Sequence, residues 1–262
     1  MKWFRIIGLQ FEEILEYKLK SLVWLLLPVM NNLTLILFWT GAVFQKGEQT
    51  PLNSLTTYYF LMTICGLFLS SHVEYEVSEL HIKRGGLINY LLKPISYYWM
   101  QLFEELPHRV LQAFYAVLIV GCIAVVTKSN LTLIIRPETF PLIVSIFIMG
   151  YLLSYTIKLS LAFLAFWIKE IGGISELFMI VSIIFSGGLL PIPLYPEVLK
   201  NIAHSLPFIY VGYFPVTSIQ GLYSVEALLH ILGMQIVWYM GILAVNRIMW
   251  VYGLRQFTAV GQ

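Results

Sequence analysis

Six segments of this sequence stay apolar for long enough to cross a lipid bilayer, and this leaves few folds open. They lie near 21–44, 55–73, 107–127, 139–168, 171–190 and 225–251. A hydrocarbon layer about 30 Å thick takes about 20 helical residues. Backbone inside it must satisfy its own hydrogen bonds, so only helices and closed barrels span it. Barrel strands alternate apolar and polar residues with period two. Stretches such as 110–126 and 177–184 are instead apolar almost throughout. The expectation is an all-α membrane protein with six transmembrane helices. Composition agrees: the 262 residues are 59% hydrophobic and 11% charged, where a soluble domain carries about 25% charged residues.

Lys and Arg in the short loops set the orientation. With the N-terminus in the cytoplasm, eleven cations fall inside: Lys2, Arg5, Lys18, Lys20, Lys83, Arg84, Lys93, Arg109, Lys169, Arg247 and Arg255. Four fall outside: Lys46, Lys128, Arg136 and Lys200. Both termini are therefore expected in the cytoplasm. The net charge of +2 gives no reason to expect a nucleic-acid partner. Cys65 and Cys122 lie in apolar segments and read as packing residues, with no disulfide or metal spacing.

The first 20 residues have the pattern of an amphipathic helix. At about 100° per residue, Lys2, Arg5, Glu12, Glu13, Glu16 and Lys20 share one face, and Trp3, Phe4, Ile7, Phe11 and Ile14 the other. Such a helix lies in the membrane interface, as an anchor or as a mechanical element. The glutamates break its apolar run, so it does not read as a signal peptide.

Between the second and third segments the chain reads GGLINYLLKPIS over 85–96. The second helix is expected to run on into the cytoplasm as a charged stalk carrying Glu74, Glu76, Glu79, Lys83 and Arg84. Gly85 and Gly86 then break it, because glycine tolerates backbone angles that other residues do not. Leu87, Ile88, Leu91 and Leu92 give a short helix one apolar stripe, and Pro94 ends it. Tyr97, Tyr98 and Trp99 read as an interfacial aromatic cluster. This elbow is either a loop lying on the headgroups or a surface for a partner. The segment 190–224 is punctuated by Pro191, Pro193, Pro196, Pro207 and Pro215, and it is apolar where a solvated loop would be polar. It is expected as short external helices dipping into the outer leaflet, covered by protein.

Catalytic signatures are missing. There is no GxxxxGK[ST] loop to cradle nucleotide phosphates, no HExxH and no GxSxG. His72, Glu74 and Glu76 could form a metal site at the inner end of the second span, but they read better as a solvated, charged helix end. Lys158 is the one clear charge within a span, where charges are expensive. It can snorkel, pair with Glu170 or Glu176, or touch a transported substrate.

These features together resemble the ABC-2 type permeases, the membrane-spanning subunits of bacterial ATP-binding-cassette exporters. The stretch 79–96 resembles that family's pattern of a Glu, a Gly, a Leu-Leu pair and a Pro-Ile-Ser ending. The run GGLLPIP over 187–193, followed by LPF over 206–208, resembles its region after the fifth span. Where the family often has Gly-Thr, this chain has Arg84, Gly85 and Gly86. The KPIS wording and the RQFTAVG ending resemble a bacterial subgroup often built from two different permeases. The resemblance implies a single permease domain over 1–262 of type V exporter-like architecture. This would comprise an interfacial helix at 1–20, a coupling-helix elbow at 79–96 and an external re-entrant segment at 190–224.

It also implies a plasma-membrane protein that pairs with a second permease chain, identical or homologous, above two ATPase subunits. ATP and Mg would bind those subunits and not this chain. Glu79, Arg84, Gly85, Gly86, Leu87, Ile88, Asn89, Tyr90, Leu91, Leu92, Lys93 and Pro94 would contact the ATPase. Lys158, Leu189, Leu190, Pro191, Pro207 and Phe208 are the candidates for the pathway and external gate. The competing readings are a secondary transporter, which would need inverted repeats and midplane titratable groups, and an intramembrane lipid-modifying enzyme, which would need facing acids or histidines. The spans carry neither pattern.

Overall fold

The structure, a computed structural model, describes residues 29–38, 41, 52–126, 131 and 133–257. The expected interfacial helix at 1–20 lies outside them. The described residues are helical and contain no strand. Eleven α-helical segments follow in order: α1 (Val29–Phe38), α2 (Leu52–Leu69), α3 (Val73–Glu76), α4 (Ile88–Leu91), α5 (Tyr97–Val126), α6 (Phe140–Phe163), α7 (Gly172–Phe185), α8 (Glu197–His204), α9 (Phe208–Val211), α10 (Tyr213–Ile219) and α11 (Val225–Gly253). A π-helical stretch, Val77–Lys83, continues α3.

Four stretches have the length and composition to cross a membrane: Ser54–Lys83, Tyr97–Val126, Phe140–Phe166 and Val225–Gly253. The expected first span is represented by α1 within its described part, and the expected fifth by α7, which has 14 residues. At about 1.5 Å per residue α7 is roughly 21 Å long, short of the hydrocarbon thickness. A turn through Gly187 ends it, and the chain then folds back as short helices.

Two boundaries differ from the sequence reading. The third span was expected from 107, but α5 begins at Tyr97. Ten residues with Gln101, Glu104 and Glu105 join the helix because their side chains find protein partners rather than lipid. Tyr97, expected in an interfacial cluster, faces protein rather than lipid: it is buried and stacks on Trp250, with centroids 4.7 Å apart and planes at 11°. Trp99 does remain exposed.

The core runs along the contact between α6 and α11 and between α2 and α5. Its largest fully buried side chains include Tyr59, Tyr155, Phe163 and Phe166. Buried tyrosines in an apolar bundle need partners for their hydroxyls. Tyr155 donates to the Tyr98 carbonyl at 2.7 Å, and the Tyr98 hydroxyl meets Thr156 Oγ1 at 2.7 Å. Much of α5 and α11 faces outward with Val117, Leu118, Val237 and Met240 exposed, as expected where lipid or another chain is the solvent.

Candidate functional site: the elbow, its stalk and the external dip

The stalk begins where α2 stops. Between Leu69 and Val73 the backbone leaves the helix, and the side chain of Glu105 on α5 serves the exposed groups. Glu105 accepts from Ser71 Oγ at 2.8 and 2.9 Å, from the His72 N–H at 2.7 Å, from Arg109 Nε at 3.0 Å and from the Tyr151 hydroxyl at 3.4 Å. Arg109 also donates to Gln112 Oε1 at 2.8 Å. Both charged side chains are under 10% exposed. A second buried pair lies next to it: Lys158 on α6 donates to Glu74 Oε1 on α3. Lys158 thus neither snorkels nor reaches Glu170 or Glu176. The Glu74 carboxylate is close enough to satisfy its charge inside the bundle.

The stalk then widens. Val77–Lys83 is π-helical, and the Arg84 N–H donates five residues back to the Glu79 carbonyl at 3.2 Å. Extra residues of this kind are uncommon and concentrate at working parts of helices. The elbow glycines do what the sequence predicts. Gly85 has φ +76°, the left-handed region. The N–H groups of Gly86 and Leu87 then close back on the carbonyls of Leu80, at 3.1 Å, and His81, at 2.8 Å. A Cβ on Gly86 would sit 2.6 Å from the Leu80 carbonyl oxygen. Gly86→Ala is therefore expected to destabilise the elbow by about 1–3 kcal/mol. Gly172→Ala, where a Cβ meets nothing within 4 Å, serves as the control. Limited proteolysis and thermal unfolding of the purified chain read the difference.

The short helix α4 exposes Ile88, Leu91 and Leu92, the last 80% exposed. Leu87 differs from expectation. It is fully buried and belongs to the main core, so it anchors the elbow instead of lining its outer face. Asn89, Lys93 and Pro94 are exposed, as is Arg84, while Glu79 pairs with Lys83 at 2.5 Å.

An aromatic column roots α4 in the bundle. Tyr90 lies against His81 at 4.4 Å, the His81 ring nitrogen meets the Tyr97 hydroxyl at 2.7 Å, and Tyr97 stacks on Trp250 of α11. The Tyr90 hydroxyl donates to Glu104 at 3.4 Å. Burial raises its pKa, and the nearby Glu104 charge raises it further, so it stays a donor. Beside the column lies a polar cavity of about 490 Å³ lined by His72, Glu76, Gln101, Glu104, His108 and Arg109 among others. Among the described residues no group of three His, Cys or acidic side chains could hold a metal.

On the opposite side, the chain after α7 is pinned by hydroxyls from α2. Tyr58 donates to the Gly187 carbonyl at 2.7 Å, and Tyr59 to that of Leu189 at 2.9 Å. Gly187 has φ +83°, and its Cβ position is occupied by the Tyr58 hydroxyl at 2.6 Å. Leu189 is exposed, while Leu190, Pro191 and Pro207 are half-buried and Phe208 is buried. The segment packs into the bundle as short helices. Gln235, ten residues into α11, donates to the carbonyls of Tyr210 at 2.8 Å and Ile146 at 3.0 Å. At about 1.5 Å per residue this reaches some 15 Å down α11, covered on all sides by protein. Of the pathway candidates, Lys158 and Phe208 are brought close. Phe178 stands between them, 5.4 Å from the Lys158 ammonium and 5.4 Å from the Phe208 ring.

Sequence reasoning missed Glu105, Ser71, Tyr58, Tyr59 and Gln235. The available signal was Glu105 four residues before Arg109, the helical spacing of an ion pair.

The described residues thus form a helical bundle with four stretches long and apolar enough to cross a membrane, a glycine-broken elbow at one end and short helices packed into it at the other. The chain belongs to the ABC-2 family of transporter proteins, whose family model (ABC-2 family transporter protein) matches residues 25–261. It is accordingly a multi-pass membrane protein and the permease of an ABC transporter, a class that works with ATPase subunits. No curated protein matches it.

Proposed function

We propose that this chain is one half of the membrane pathway of a bacterial exporter. It pairs with a second permease chain, identical or homologous, in the plasma membrane with both termini in the cytoplasm. Two separate ATPase subunits dock beneath, and 79–96 is the coupling element. The observation that carries this reading is the form of the elbow. One turn of helix presents Ile88, Leu91 and Leu92 outward, while Leu87, the aromatic column and two buried ion pairs tie it to α5, α6 and α11. A groove on an ATPase gives those three side chains a place to be buried, and the rigid root passes a push on them to the spans. The dip at 190–224, pinned by Tyr58 and Tyr59, would close the external end.

Orientation supplies the test. In a variant whose Cys65 and Cys122 are replaced, single cysteines at positions 46, 128 and 200 are expected to react with an impermeant maleimide on intact cells. A cysteine at position 93 should react only after permeabilisation. Labelling at 93 in intact cells would overturn the topology and, with it, the coupling role of the elbow.

A further inference from the structure

The elbow's polar cavity has a counterpart of opposite sign. A slot of about 280 Å³ opens between the start of α5 and the end of α11, lined by Ser96, Tyr98, Trp99, Asn246, Arg247 and Trp250 among others. Among the described residues no acidic residue lines it, whereas three glutamates line the elbow cavity. Arg247 is exposed and has no counter-ion among the described residues. Its neighbour Asn246 is buried and held by a bond to Ser160 Oγ at 3.0 Å. The Tyr98 and Tyr239 hydroxyls face each other at 3.3 Å, and Trp250 is braced by Tyr97 and Phe163. The slot is therefore a rigid aromatic cup with one free guanidinium.

Depth narrows what it takes. The 29 residues of α11 extend about 43 Å, some 13 Å more than the hydrocarbon layer. Arg247 lies about 9 Å from the end of that helix, so the slot sits where headgroups meet acyl chains. Aromatic residues favour that zone, and a guanidinium there is matched by a phosphate, which it binds through two parallel N–H donors. The volume suits a headgroup and leaves the acyl chains in the bilayer.

We infer that this slot binds the phosphate headgroup of an anionic phospholipid, with Arg247 as the charge partner and Tyr98, Tyr239 and Trp250 as the wall. Placing the slot in the inner leaflet rests on the orientation proposed above. Binding itself does not, so the following test stands apart from the topology test.

The full-length chain is exchanged in detergent with phosphatidylglycerol or phosphatidylcholine, and bound lipid is counted by native mass spectrometry. Phosphatidylglycerol is expected to be retained in preference. Arg247→Gln should lower its retention about tenfold or more, the loss of a charge-assisted hydrogen bond. Arg247→Lys, which keeps the charge, should retain a substantial part. Arg255→Gln, outside the slot and stacked 5.2 Å from Tyr252, should leave retention unchanged, and an unaltered melting temperature shows that the Arg247 variants remain folded. Equal retention of the two lipids, or by Arg247→Gln and the parent chain, overturns the inference. Displacement by inorganic phosphate alone also overturns it, because the site would then serve a soluble anion.

Discussion

Replacing Leu91 and Leu92 with Asp is expected to strip the ATPase from the purified complex, or to leave it bound and uncoupled, while the permease still inserts in the membrane. Both side chains point away from the bundle, and Leu92 is 80% exposed. Burying a leucine in a partner's groove is worth up to about 1.5–3 kcal/mol. Losing two such burials and placing two carboxylates in an apolar groove costs more than the leucines alone, since unpaired charges resist desolvation. Among the described residues both side chains are exposed, Leu91 44% and Leu92 80%, so the melting temperature of the isolated permease should move little. Co-purification of the ATPase and transport assays in vesicles measure the effect. Full ATPase binding with full transport would remove the elbow from the coupling route. Leu87→Asp should behave differently, unfolding the elbow itself, because Leu87 is part of the core.

The second large effect is internal. Glu105→Ala leaves the Arg109 guanidinium buried without its carboxylate and strips the acceptor from Ser71, the His72 N–H and Tyr151. Breaking one partner of a buried ion pair costs about 3–5 kcal/mol. The expected result is a permease that unfolds at a much lower temperature and is poorly recovered from membranes. Removing both charges together, as Glu105→Gln with Arg109→Met, should recover much of that loss, because the orphaned charge is then gone. If the single variant melts like the parent chain, the junction of α2 and the stalk is not held by Glu105. The double variant carries further information. A chain that is stable yet couples ATP hydrolysis poorly would mark the ion pair as part of the mechanical linkage.

How much of this was legible in the sequence depends on how local each feature is. The glycine break at Gly85 and Gly86 was readable, since it follows from backbone angles at two adjacent residues. The short helices within 190–224 were readable too, because five prolines in an apolar stretch rule out both a long helix and a solvated loop. The four long helices follow from hydropathy. The start of α5 was not readable: its first ten residues are too polar for lipid, and only the folded bundle shows that Gln101, Glu104 and Glu105 have protein partners. The Glu74–Lys158 pair and the reach of Glu105 to the stalk were hidden for the same reason. Ser71 and Glu105 lie 34 residues apart, and Glu74 and Lys158 lie 84 apart. Helix hydropathy records which face is apolar but not which neighbour meets a charge. Leu87 shows the converse: the apolar stripe was visible, but which of its members turn inward depends on the bend that the glycines impose.

The wide turn of Val77–Lys83 has one more implication. A π-type ladder encloses one more residue in each hydrogen-bonded loop than an α-helical one, and an α-helix advances about 100° for each residue. Letting that surplus residue slip out of the ladder would swing everything beyond it, including Ile88, Leu91 and Leu92, through a comparable angle about the stalk axis. The spans themselves need not shift. In the coupling role proposed above, the stalk would then pass torque, and not only thrust, between its two ends.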